Sequence, residues 1–112
     1  IDNMSKPKYK GVSIEFADGR TFIVPPLSLG AVEILQDKLA KFRGEMDKES
    51  IAFVIEATTV SLQRNYPDIT EEEVKNELLD LGNMSDVIGA VLDVSGLKRK
   101  AQEESGKPKA GT

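Results

Sequence analysis

The chain has no cysteine, no histidine and no tryptophan. Without cysteine there is no disulfide framework, no thiolate nucleophile and no thiolate metal site. Without histidine, the commonest acid–base catalyst and the imidazole metal ligand are both missing. Aromatic residues make up only 5% of the sequence. Tyr9 and Tyr66 stand singly, with no basic companion stripe on which nucleic-acid bases could stack. No apolar run approaches the roughly 20 residues that cross a bilayer, and the N-terminus carries no secretory hydrophobic region. The expectation is a soluble, cytoplasmic protein without membrane partner, cofactor or metal, and not an enzyme.

The remaining carboxylates and hydroxyls do not rebuild a catalytic site. Glu71, Glu72 and Glu73 are consecutive, and neighbouring helix positions point about 100° apart, so the three cannot converge on one ion. Asp80, Asp86 and Asp93 lack the spacing, glycine and closing glutamate of a calcium loop. Ser13 and Ser61 have no base evident nearby in the sequence. Gly82-Asn83 and Ser95-Gly96 lack the strand–loop–helix setting of a phosphate cradle.

What is present suits one small domain. The 112 residues are 39% hydrophobic and 30% charged, enough for a single modest core. The net charge is −4, unevenly placed: residues 1–10 carry +2 and residues 97–112 carry +3, which leaves −9 on residues 11–96. An acidic body repels phosphate backbones and argues against nucleic acid as the main ligand.

Val12, Ile14 and Phe16 alternate with polar residues, and Asp18-Gly19 separates them from Arg20–Val24, so this stretch reads as a β-hairpin. A two-residue loop would pair Ala17 with Arg20 and set Glu15 across from Phe22. A three-residue loop, with Gly19 left-handed in a bulge, pairs Phe16 with Arg20 and gathers Val12, Ile14, Phe22 and Val24 on one face. The second register is preferred because a helix can cover that face. A hairpin alone is marginal in water.

Pro25-Pro26 forces an extended exit. Ser28 caps a first helix over about 29–43, with Val32, Leu35, Leu39 and Phe42 as its stripe and Gly44 as its stop. Asp47 caps a second over about 48–64, whose stripe of Ile51, Val54, Ile55, Thr58 and Leu62 is widened by Phe53, Ala57 and Val60. Pro67 ends it. Thr70-Glu71-Glu72-Glu73 is a capping box, in which the Thr70 hydroxyl takes the Glu73 N–H and the Glu73 carboxylate returns to the Thr70 N–H. The third helix it opens buries Val74, Leu78, Leu79 and Leu81 and stops at Gly82. Asn83 caps a fourth over about 84–94, with Met84, Val87, Ile88, Val91 and Leu92 inward and Gly96 at its end.

The predicted fold class is therefore α+β, mostly α: an N-terminal β-hairpin packed on a small bundle of about four helices. Residues 1–10 are expected to be a flexible segment, 11–96 the domain and 97–112 a disordered basic tail.

Taken in order, Val12–Phe16, Asp18-Gly19-Arg20-Thr21-Phe22 and Ile23-Val24-Pro25-Pro26-Leu27-Ser28-Leu29-Gly30 resemble the opening of the tail assembly chaperones of long-tailed bacteriophages and prophages. Tyr66-Pro67-Asp68-Ile69-Thr70-Glu71-Glu72-Glu73-Val74, Leu78–Asn83 and Val87–Leu97 continue the likeness, which covers about residues 11–97. The resemblance implies a small, mostly helical, non-catalytic protein of the bacterial host cytoplasm that coats the tape-measure protein during tail assembly. It also implies self-association, and a longer frameshifted form that recruits the tail-tube protein. Helix pattern alone places the client groove on the second and fourth helices, at Phe53, Ala57, Val60, Met84, Ile88 and Val91; the alternative is that the hairpin and the other helices cover the broad apolar side of the second helix. The rival expectation is a small regulatory or antitoxin-like protein-binding module whose basic tail touches nucleic acid.

Overall fold

The computed structural model describes residues 7–43, 45 and 47–97. The expected helix stop at Gly44, most of the expected flexible N-terminal segment and the basic tail from residue 98 lie outside the described residues.

Two antiparallel strands open the fold, β1 (Val12–Glu15) and β2 (Thr21–Val24). Val12 pairs with Val24 and Ile14 with Phe22, the three-residue-loop register. Phe16 and Arg20 close the ladder, Phe16 N–H donating to the Arg20 carbonyl at 2.8 Å, and Gly19 takes φ +92. That left-handed turn is open to glycine at no steric cost. On the covered face Phe16 and Val24 are buried, Ile14 and Phe22 half-buried, and Val12 lies at the edge.

Four helical segments follow: α1 (Leu29–Lys41), α2 (Lys48–Asn65), α3 (Glu71–Glu73) running straight on into a π-helical turn over Val74–Leu78, and α4 (Met84–Val94). The arrangement is α+β and mostly α, as the patterning predicts. Ser28 Oγ accepts the Ala31 N–H at 3.1 Å and Asp47 Oδ1 accepts the Ser50 N–H at 2.7 Å, so both expected caps are in place. α1 ends at Lys41, short of the expected 43. Phe42 leaves the helix in extended conformation, with its ring 5.0 Å from that of Phe53.

α2 is the spine. It packs against α1, α4, β2 and the α3–π segment, and it buries Phe53, Val54, Ala57, Thr58 and Leu62. Its C-terminal end also finishes the hairpin. Among the described residues the outward backbone groups of Ile23 have no third strand to pair with, and unpaired buried groups are costly. The Tyr66 hydroxyl takes the Ile23 N–H at 2.9 Å, and Asn65 Nδ2 donates to its carbonyl at 3.2 Å.

Three local expectations need correction. The capping box is only half formed: Thr70 Oγ1 accepts the Glu73 N–H at 3.1 Å, but the Glu73 carboxylate turns away to Arg20 Nη1 at 2.8 Å. Asn83 makes no side-chain cap on α4. It exchanges bonds with Asp80 instead, each side chain accepting the other's N–H at 2.9 and 2.8 Å. Finally, the N-terminal segment is tied down at Tyr9, whose N–H and carbonyl both bond the Asn65 amide at 2.6 and 3.0 Å. The Arg64 guanidinium covers the Tyr9 ring at 3.9 Å. Ordered contacts thus begin before the alternating stretch that marks β1.

Candidate functional surface

The groove expected on the second and fourth helices is filled by the chain itself. Phe53, Ala57, Met84, Ile88 and Val91 are core residues, and Val60 is half-buried. The cause is the central position of α2. A helix packed on several sides must be apolar on several sides, so its breadth records neighbours within the chain rather than a partner outside it.

Apolar surface remains elsewhere. Leu29 is 88% exposed and Ile34 73%; both lie on α1, but five positions apart they point about 140° from each other around the helix. Their positions fall off the Val32–Leu35–Leu39–Phe42 stripe, so spacing alone could have singled them out. Leu81 is 63% exposed, and Val12 at the hairpin edge 38%. The expected burial of Leu81 fails because the segment after Glu73 does not continue as an α-helix. The wider π turn ends with Leu79 N–H on the Val74 carbonyl at 3.0 Å, and the Leu78 carbonyl is drawn off to Ala17 N–H and Asn83 Nδ2, both at 3.0 Å. Val74 and Leu78 stay buried, while the Asp80–Asn83 exchange fixes a turn that carries Leu81 outward.

Leu81 stands on the edge of an open apolar cleft of about 280 Å³. Its apolar lining comes from Ile51, Val54 and Ile55 of α2, Leu79 and Leu81 of the following turn, and Met84 of α4. Lys75 and Asp80 are its charged lining residues. Met84 alone among the six expected groove residues reaches this cleft. A second, more polar depression of about 520 Å³ lies between the end of α1 and the start of α2, over Phe42 and Phe53.

Titratable groups do structural work. Arg20 gathers Asp18 at 2.7 Å, Glu73 at 2.8 Å and Glu77 at 3.3 Å, which locks the hairpin turn to α3 and the π turn. The Arg20 backbone N–H and then its guanidinium hold the Asp18 carboxyl below its ordinary value, and Asp18 and then Glu73 hold Arg20 above its own. The Ser50 N–H does likewise for Asp47 at the start of α2. Tyr9 is lowered by Arg64 first and Lys8 second. Among the described residues no group of three or more acidic side chains could hold a metal ion, and no helix is long and apolar enough to cross a membrane.

No protein-family model, curated protein or solved structure matches this chain. Among the described residues its surface offers two separately exposed apolar side chains on α1 and an apolar cleft beside Leu81.

Proposed function

We propose that the protein is a non-catalytic tail assembly chaperone of a long-tailed phage or prophage, acting in the bacterial cytoplasm. Its client is the tape-measure protein, whose long apolar helices need cover until the tail is built. The observation that carries this reading is the way the resembling residues are joined. The Gly19-Arg20 turn and the Thr70–Glu73 box meet through the Arg20–Glu73 pair. The Tyr66 hydroxyl holds Ile23 ahead of the Pro-Pro step, and α2 clamps that step through Ser61 Oγ on the Pro25 carbonyl at 2.7 Å and Arg64 on the Pro26 carbonyl at 2.6 Å. Pieces common in isolation form one bonded unit here.

Client binding is assigned to α1, where Leu29 and Ile34, exposed on different sides of the helix, offer apolar area that the core does not use. The charge of −9 on residues 11–96 keeps such a surface soluble while it waits for a client. A longer frameshifted form that engages the tail-tube protein belongs to the same proposal.

The test is co-expression with a tape-measure fragment from the encoding phage or prophage. Wild-type chain keeps the fragment in the supernatant, and the Leu29→Asp/Ile34→Asp double variant, folded by circular dichroism, does not. A fragment that pellets equally with and without wild-type chain overturns the function. A double variant as effective as wild type overturns the surface. Salt-dependent DNA binding that is lost on removing residues 97–112 would favour a regulatory module instead.

A further inference from the structure

The cleft beside Leu81 has a property that a simple client groove does not require: it complements itself. It combines an exposed apolar knob, an open apolar hole and one rim charge of each sign. Neither Lys75 nor Asp80 forms an ion pair among the described residues. A two-fold contact places the same patch on both sides, so each knob must find a hole and each cation an anion. This patch meets both demands.

We propose that the cleft is the contact between two copies of this chain. Leu81 of each copy enters the space between Ile51, Ile55 and Leu79 of the other, and Lys75 of each copy faces Asp80 of the other. The inference names a surface for self-association, and it stands whether or not the domain holds a tape-measure client.

The charge pattern makes the contact testable without any client. Sedimentation equilibrium of the full wild-type chain is expected to give a concentration-dependent dimer. Leu81→Asp keeps the fold, because that side chain is mostly in solvent, and weakens dimerisation at least about tenfold, as loss of a central apolar anchor does. Lys75→Asp alone sets Asp against Asp80, and Asp80→Lys alone sets Lys against Lys75. Each is expected to be monomeric by itself, and an equimolar mixture to recover a heterodimer with two opposite-charge pairs. A monomeric wild type, a Leu81→Asp variant that dimerises like wild type, or charge variants that associate equally alone and mixed overturn the proposal. Asp80 also accepts the Asn83 N–H, so Asp80→Lys is checked by thermal melting first. Should it not fold, wild type and Leu81→Asp decide.

Discussion

Arg20 and Glu73 lie 53 positions apart in the chain, and their side chains meet at 2.8 Å. The bond replaces the return half of the capping box. A local helix signal has been spent on a long-range tie between the hairpin turn and the third helix.

Arg20→Ala should therefore loosen the hairpin from α3 and also remove the guanidinium that sits 5.5 Å over the Phe22 ring. The Arg20 side chain is 43% exposed, so solvent screens its ion pairs and the loss is about 1 kcal/mol at low salt. Urea unfolding should give a lower midpoint for the variant, and the gap to wild type should narrow in high salt.

Asp18 and Asp47 both have folded-state values below the ordinary 3.8. A depressed carboxyl adds stability above its unfolded value and loses it as the pH falls through the folded one. Stability should fall as the pH drops below about 4, and Asp18→Asn and Asp47→Asn should each flatten that fall. Thermal melts across an acid series read it directly. Equal acid sensitivity in wild type and both variants would contradict the assignment.

Backbone approach makes Gly11 irreplaceable. A Cβ there would collide with the Val24 carbonyl and crowd Pro25, both main-chain groups that cannot swing aside. Gly11→Ala should cost about 2 kcal/mol, as overpacking does, with the hairpin shifted against the start of the chain. Chemical denaturation gives the number.

Thr58 is fully buried, and its Oγ1 has no hydrogen-bond partner among the described residues. Thr58→Val keeps the shape and removes an unsatisfied hydroxyl, so stability should rise by about 1 kcal/mol. A loss of that size instead would mean that the hydroxyl is paired in solution.

These positions mark what the sequence could and could not disclose. The hairpin register was legible because one register alone gathered Val12, Ile14, Phe22 and Val24. The side-chain caps of Ser28, Asp47 and Thr70 were legible because each accepts an N–H three residues further on. The client groove was not. Phe53, Ala57 and Val91 carry no mark telling a helix surrounded by its own chain from one awaiting a partner, and only tertiary packing decides. Leu81 was misplaced for a related reason: whether a turn is α or π depends on distant groups, here the Ala17 N–H on the Leu78 carbonyl. Arg20 could be seen as a turn residue but not as the partner of Glu73.

The central claim is that this fold presents apolar surface to hold a foreign helix, and its most direct measurement is calorimetric titration of the purified chain with a synthetic apolar helical peptide from a tape-measure sequence. The account predicts saturable binding with a negative heat-capacity change, lost in the folded Leu29→Asp/Ile34→Asp variant. Absence of binding by a folded wild-type chain would contradict it.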